Sequence, residues 1–421
     1  MLSSKPTKAI GLDIGSHSVK AVQISKSGDT LRVEHVGYAV IDPAQMTTDP
    51  IEAQGAAVLS ALEGFATKNA VFVGALPGQT VVIRYPRLPD MPDEDLRQAI
   101  EREAAQNLPF ELSEVFLDFV VLDRGVENEE QVAKVLLVAA KHELIDSCVR
   151  VAEAAGLQYA ILTVDALALA DAAESCGFLG VNETVSLIDI GATSTIVHFV
   201  KDGISNYYRD VNWGTKELVQ AICRANRCEP PIAEQILREW GKRSLADTGS
   251  GEFITEKSDM VVSDEPEPLS AEEPPEFSLD GELGDLGGSP LEPLEEEKPK
   301  PSQKDLRKSN VAESSATQEG EQLIRIPLSN FVNEIRRSFD FYEHQMYERP
   351  VERVLVSGGV SAAPFIKERL KQELGLDQIE IANPASSRLV LGRTEDIAPL
   401  LKQPAQFMVA VGLAARGAAE I

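Results

Sequence analysis

The stretch Ile10-Gly11-Leu12-Asp13-Ile14-Gly15-Ser16, followed by Val19-Lys20-Ala21-Val22-Gln23-Ile24, has a counterpart far downstream. It returns as Leu187-Ile188-Asp189-Ile190-Gly191-Ala192-Thr193, followed by Thr195-Ile196-Val197-His198-Phe199-Val200. Each copy reads as an apolar strand, an Asp-x-Gly turn and a second strand. A supersecondary unit that recurs at a domain-sized interval predicts two similar lobes and not a short-period array.

The turns carry the chemistry. Glycine lets backbone approach a ligand closely, successive N–H groups make a concavity for phosphate oxygens, and Ser or Thr hydroxyls add donors. An aspartate at the strand end cannot hold phosphate itself. It suits a hydrated Mg²⁺, which prefers a few carboxylates and keeps its waters, so Asp13 and Asp189 are the candidate metal residues. Either hairpin alone is no more than a common β-turn; two that face each other would clasp a triphosphate from both sides. A third element follows in order. Val354-Leu355-Val356 reads as a buried strand and Ser357-Gly358-Gly359-Val360 as a tight turn. Ser361 is then expected to cap a helix carrying Phe365, Ile366 and Leu370, which Gly375 ends. Alone this is strand-to-helix geometry; after the two hairpins it reads as an adenosine site.

The 421 residues suit two domains. A formal net charge of -27, from 67 acidic and 40 basic side chains, argues against nucleic acid as a main partner and against direct adsorption on anionic lipid. Much of that charge lies in one tract: Gly251 to Lys300 holds sixteen acidic residues against three lysines, with seven prolines. Such a run buries too little apolar surface to offset the entropy of ordering it, so 246–320 is expected to be a disordered acidic loop. Leu269, Phe277, Leu279, Leu283 and Leu286 within it read as incidental apolar residues or as a short docking motif. Cys148, Cys176, Cys223 and Cys228 form no Cys-x-x-Cys pair, which excludes a zinc site or disulfide framework and leaves reduced, mostly buried thiols. The amino terminus lacks a signal-peptide core, and Phe407 to Ala415 is too short to span a membrane, so a cytoplasmic location is expected.

Pro230-Pro231 opens a helix through Ile232, Ile236 and Trp240 that Gly241 stops, and Leu328, Phe331, Val332, Ile335, Phe339 and Tyr342 recur at helical spacing beyond the acidic tract. Between Val82 and Tyr159, Pro92-Asp93-Glu94-Asp95 starts a helix with Leu96, Ile100 and Ala104 on one face. Val115 to Val121 and Val132 to Ala139 read as strands, and Leu144 to Gly156 as a helix.

The ordered set Asp-Ile-Gly-Ser-His-Ser-Val-Lys (13–20), Asp-Ile-Gly-Ala-Thr-Ser-Thr (189–195) and Ser-Gly-Gly-Val (357–360) resembles the actin, sugar-kinase and chaperone ATPase pattern. Three further stretches narrow it: Glu101 to Glu114, ending Asn107-Leu108-Pro109-Phe110-Glu111-Leu112; Val164-Asp165-Ala166-Leu167-Ala168-Leu169-Ala170; and Ile335-Arg336-Arg337-Ser338-Phe339-Asp340-Phe341-Tyr342. With these the chain resembles the PilM family, actin-like proteins of type IV pilus assembly related to FtsA, over nearly all its length except 246–320. The resemblance implies an α/β, actin-like two-lobed fold of duplicated ribonuclease-H-like lobes. The first lobe would span 1–81, an inserted 1C-type subdomain 82–159, and the return to lobe I with the inter-lobe connection 160–186. The second lobe would take 187–245 and 321–395 around the acidic linker 246–320, and 396–421 would return to the first.

The resemblance also implies roles. Asp13, Gly15, Ser16, Ser18 and Lys20 would form the first phosphate loop, and Asp189, Gly191, Thr193 and Ser194 the second. Gly358 and Gly359 would meet adenosine, and Glu234 the ribose. Here the sequence departs from the family, with Leu237 at a position usually lysine and Arg238 beside it. Asp165 would stand near Mg²⁺ or its water; read from sequence alone, it is equally a helix N-cap before Ala166. The implied cofactors are ATP and Mg²⁺. The implied partners are the cytoplasmic N-terminal tail of a PilN-like inner-membrane protein, taken as an extended peptide beside the inserted subdomain, and other pilus assembly proteins. The protein would then sit at the inner membrane through partners, and a homo-oligomer stays open. No residue stands out as a general base, with Asp13, Asp165 and Asp189 the catalytic candidates, so ATP as a slow substrate or as a mainly structural ligand both stay open. A small-molecule kinase of the same superfamily lacks an acceptor-site constellation here. An FtsA-like protein would need a basic amphipathic carboxy-terminal helix, and a type II secretion component L would carry a membrane span.

Overall fold

The computed structural model describes residues 6–127, 129–240, 324–361 and 363–421. The expected acidic loop 246–320 with its docking motif, and the helix stop at Gly241, lie outside the described residues.

Strand β1 (Lys8–Ile14) turns at Gly15 into β2 (Ser18–Ser27), and β3 (Thr30–Val40) completes an antiparallel meander. Helices α1 (Pro43–Thr48) and α2 (Pro50–Ala61) each begin at an Asp-Pro pair. The carboxylates of Asp42 and Asp49 accept first-turn N–H groups there, and proline fills the position that needs no donor. β4 (Ala70–Leu76) then returns parallel to β1. Next come β5 (Val81–Arg84), β6 (Arg87–Pro89), α3 (Asp93–Asn107), β7 (Val115–Glu127), β8 (Glu130–Lys141) and α4 (His142–Ala154). β9 (Ile161–Val164) joins β4, and α5 (Asp165–Ser175) leads to a second meander of β10 (Thr184–Ile190), β11 (Thr195–Lys201) and β12 (Ile204–Val211). Helices α6 (Thr215–Asn226), α7 (Pro230–Trp240) and α8 (324–340) follow, the last running into a π-helical turn at Phe341–Gln345. The chain ends with β13 (Arg353–Gly358), α9 (Pro364–Leu374), β14 (Ile379–Ile381), β15 (Val390–Leu391), α10 (Ala398–Lys402) and α11 (Met408–Ala419).

The two large sheets have one topology. The first runs β3-β2-β1-β4-β9, with β15 added beside β3, and the second runs β12-β11-β10-β13-β14. In each, a three-stranded meander is extended by two parallel strands. Register repeats as well: Asp13 stands opposite Lys20, and Asp189 opposite Ile196. One strand further out, those rows reach Tyr38 and Asp210. The two similar lobes expected from the sequence echo are what the chain forms.

The segment between β4 and β9 makes a smaller sheet in which β8 pairs with β7 on one side and with β5 and β6 on the other. Helix α3 covers one face with Leu96, Ile100 and Ala104, each at most 1% exposed, as their spacing predicts. β7 runs past the expected Val121 through a bulge before Asp123. Its N–H groups at Phe119 and Arg124 are taken by the carboxylates of Asp118 and Asp123, at 2.9 and 2.8 Å, which blunts an edge that would otherwise template pairing.

Two expectations need correction. Ser361 does not cap α9: the helix starts at Pro364, and the buried Ser361 hydroxyl donates back to the Gly358 carbonyl at 2.8 Å. Proline at the first helical position needs no capped N–H. The four cysteines are free, but only Cys176 is buried; the other three are half-buried. Gly375 does end α9, in the left-handed region at φ +66°. Among the described residues no helix is long and apolar enough to cross a membrane.

Helix α11 packs against β1, β2, β4 and α5 and is almost wholly buried. Small residues make this close approach possible. A Cβ at Gly412 would lie 1.7 Å from the Ala168 carbonyl oxygen of α5, and one at Gly11 would lie 2.3 Å from that of Ala410. Gly412→Ala should therefore force α11 off α5 and destabilise the protein by about 2–3 kcal/mol. Denaturant unfolding checks this; an unchanged midpoint would disprove the close packing.

Candidate functional site

Both hairpins close in the same way. The N–H of Gly15 donates to the Ser18 carbonyl at 3.1 Å, and that of Gly191 to the Ser194 carbonyl at 2.9 Å. A side chain at Gly191 would stand 2.8 Å from that carbonyl oxygen, so the turn is too tight for one. The start of α6 braces the second hairpin, with the N–H groups of Thr215 and Lys216 donating to the carbonyls of Gly191 and Ala192 at 3.0 and 2.9 Å.

The hairpin tips meet. Ser16 Oγ lies 3.1 Å from Thr193 Oγ1, and His17 Nδ1 lies 3.9 Å from Glu234 Oε1 on α7. Residues remote in sequence are thus brought side by side, with Asp13 and Asp189 at the strand ends behind the tips. Lys20 Nζ donates to Asp13 Oδ2 at 3.1 Å. Burial alone would lower the Lys20 pKa, but the adjacent Asp13 carboxylate, with Asp189 beyond it, outweighs that and raises it. Asp189 accepts a 2.5 Å hydrogen bond from Ser357 Oγ at the end of β13. Burial, reinforced by the charge of Asp13, nevertheless pushes its carboxyl up to about 6.

Asp165 starts α5 and is not its N-cap, which is Val164. Its Oδ1 accepts the N–H of Ala166 at 2.6 Å and that of Gly78, from the turn after β4, at 2.9 Å. Burial, with Asp210 nearby, raises its pKa well above the usual range. Asp210 itself, on β12, accepts the Tyr208 hydroxyl, and burial pushes it up to about 7. A Cβ at Gly78 would lie 2.3 Å from Tyr208 Oη, 2.7 Å from Asp210 Oδ2 and 3.0 Å from Asp165 Oδ1, so this glycine is wedged among all three.

The structure thus brings together Asp13, Gly15, Ser16, Ser18, Lys20, Asp189, Gly191, Thr193 and Ser194, with Asp165 close by and Glu234 reaching the first tip. Gly358, paired with Ile190 at the end of β10, has φ +100°, and a Cβ there would lie 2.1 Å from the Ile190 carbonyl oxygen. Its glycine is required by backbone and packing, whereas Gly359 is exposed and faces open space. Leu237 is a core residue at 6% exposure, which accounts for the missing lysine. Sequence reasoning missed the parts played by Ser357, Gly78, Tyr208 and Asp210. Asp210 occupies the row position of Tyr38 in the first lobe, but the strands of the two meanders differ in length, so no fixed spacing reveals it.

Two lobes of one topology, closing on paired Asp-x-Gly hairpins, define an actin-like protein. The chain is similar over 97% of its length to the protein of a PilM-PilN type IV pilus biogenesis complex, covering 98% of that chain at 20% identity and a TM-score of 0.70. It is more distantly similar to the ethanolamine utilization protein EutJ from Carboxydothermus hydrogenoformans, covering 98% of this chain and 90% of that one at 12% identity and a TM-score of 0.48. An archaeal actin homologue, Ta0583, in complex with ADP, matches over 98% of this chain and 99% of that one at 12% identity and a TM-score of 0.41. The family model for the type IV pilus assembly protein PilM matches residues 11–242 and 313–418, and the chain belongs to this family.

The raised carboxyl pKa of Asp210 fixes the sign of a pH effect. Between about pH 4 and 7 the folded chain holds a proton there that the unfolded chain has lost, so this group's contribution to stability falls as pH rises through that window and is flat above it. Asp210→Asn should therefore be more stable than the parent at pH 8, by on the order of 2 kcal/mol. The gap should shrink as pH drops below 6. Thermal unfolding in metal-free buffer at the two pH values measures it; a gap that widens in acid would refute the assignment.

Proposed function

We propose that this protein is a nucleotide-dependent assembly platform for type IV pili, in which Mg-ATP bound between the hairpins holds the two lobes together. The observation that carries the reading is the meeting of Ser16 and Thr193 at the tips of equivalent turns. Phosphate oxygens can replace that hydroxyl–hydroxyl bond while the backbone of both turns supplies further donors. The residues fit the group. Lys20 is a cation beside the first turn, Gly359 leaves a bare approach at the end of β13, and half-buried carboxylates with raised pKa gain from a nearby cation. Among the described residues no group of three or more His, Cys, Asp or Glu side chains is arranged to hold a metal. A magnesium ion would therefore be held by Asp13 and Asp189 largely through its waters, as that ion favours. When bound, it would neutralise phosphate charge. Asp13 also positions Lys20, Ser357 orients Asp189, and Glu234 suits a ribose hydroxyl.

The inserted sheet supports a second element of the reading, an extended peptide from the tail of a PilN-like membrane protein. Phe116 and Val120 on β7 are 57% and 52% exposed, yet they stand opposite the buried Ala140 and Leu136 of β8. They continue an apolar face outward into solvent, which suits anchoring alternate side chains of a strand-like ligand.

Asp13→Ala is expected to weaken Mg-ATP binding at least tenfold, about 1.4 kcal/mol, by isothermal titration. Equal affinity for mutant and parent would refute the cleft. Phe116→Ser with Val120→Ser should lower affinity for a synthetic PilN-like tail peptide by about tenfold or more and leave Mg-ATP affinity unchanged. Peptide binding that survives both changes would place the partner elsewhere.

A further inference from the structure

The inserted sheet belongs by sequence to the first lobe but leans on the second through polar side chains. Lys134 of β8 donates to Asn206, and Arg87 of β6 stands 3.6 Å from Glu348. A third contact reaches further. Tyr85, between β5 and β6, has its hydroxyl 2.8 Å from Ser205 Oγ on β12. Ser205 Oγ is in turn 2.8 Å from Nε2 of His198, which has no exposed surface. The Nδ1 of His198 lies 2.8 Å from the Ala166 carbonyl oxygen, and the Ala166 N–H is held by Asp165.

The direction of every bond in this chain can be derived. A carbonyl only accepts, so Nδ1 carries the hydrogen. Burial holds the imidazole pKa down at about 4, so the ring is neutral and Nε2 is a bare acceptor. The Ser205 hydroxyl must then donate to Nε2, which leaves its oxygen to accept from Tyr85. Burial raises the Tyr85 pKa to about 12, so the phenol keeps its proton at any working pH. Tyr85, Ser205, His198 and Ala166 therefore form one ordered donor sequence with no interchangeable member. It runs from β12 beside the inserted sheet to the first turn of α5. At that turn Asp165 is also tied to Gly78 of the first lobe. At the other end, β5 and β6 are hydrogen-bonded to β8, whose Leu136 and Ala140 back the exposed Val120 and Phe116.

We propose that this relay couples occupancy of the inter-lobe cleft to peptide binding on the inserted sheet, with His198 as a positioning residue. The inference rests on the nucleotide and peptide reading above. A ligand that shifts Asp165 moves the Ala166 peptide. A chain of directed bonds centred on the buried His198 cannot break there without leaving a ring nitrogen unpaired, so the inserted sheet follows.

The test is a calorimetric cycle on the full chain with two probes, Mg-ATP and a synthetic peptide of the PilN-like tail, each titrated with and without a saturating amount of the other. In the parent protein each probe should change the affinity of the other by the same factor, about fivefold or more. Tyr85→Phe and Ser205→Ala should each leave both separate affinities within about twofold while bringing the coupling factor close to one. Ser205→Thr, which keeps the hydroxyl, should retain coupling and guards against a folding defect in the other variants. Parent-like coupling in Tyr85→Phe would overturn the relay, as would independent binding of the two probes to the parent protein. A parent protein that binds no Mg-ATP would overturn the cleft reading and the relay with it.

Discussion

Asp13 and Asp189 flank a single lysine, with the pair Asp165 and Asp210 close by, and the surrounding architecture answers to the cost of keeping that charge out of water. Three are held by a group from another segment or strand, Asp13 by Lys20 of β2, Asp189 by Ser357 of β13 and Asp165 by the backbone of Gly78, while Asp210 accepts from Tyr208 of its own strand. One lysine cannot balance four carboxylates. Burial, chiefly, raises the pKa values of Asp165, Asp189 and Asp210, so protons make up part of the difference, and a bound cation would serve the same end. Like charges this close are costly wherever they serve no purpose. The convergence of Asp13 and Asp189 behind the tips of two equivalent hairpins is the strongest physical argument for a charged ligand there.

Holding such a cluster requires a stiff support, and small residues supply it. Helices α11 and α5 approach through Gly412 and Ala168 closely enough that no side chain fits between them, and α11 meets β1 through Gly11 in the same way. Asp13 at the end of β1 and Asp165 at the start of α5 are thus fixed to one packed block. The second hairpin is braced separately by the start of α6, so the two hairpins have separate local supports.

The inserted sheet follows a different logic. One face is a small apolar core with α3, and hydrogen bonds at Tyr85 and Lys134 and an ion pair at Arg87 tie the sheet to the second lobe. Directed polar contacts fix orientation where apolar ones would tolerate sliding. The free edge of β7 is closed off by Asp118 and Asp123, which leaves its side-chain face and not its backbone as the surface available to a partner.

Much of the fold was legible in the chain itself. The repeated strand–Asp-x-Gly–strand text marked two lobes because apolar runs and glycine turns are local signals, and the buried face of α3 followed from helical spacing. The hairpin residues of the site were legible for the same reason. Other features had no local signal. Ser361 looked like a cap until Pro364 set the helix start, and the positive φ of Gly358 and its packing on Ile190 appear only in the assembled sheet. His198 reads as one more residue in an apolar strand, and Asp210 as an ordinary polar position. Their partners come from α5, the inserted sheet and the turn after β4, brought beside them by strand register and by packing between distant segments. Sequence thus determined the repeated units and their turn chemistry, because those depend on neighbours along the chain; which charges meet, and which hydrogen bonds join the inserted sheet to the cleft, depended on contacts that only the assembled lobes create.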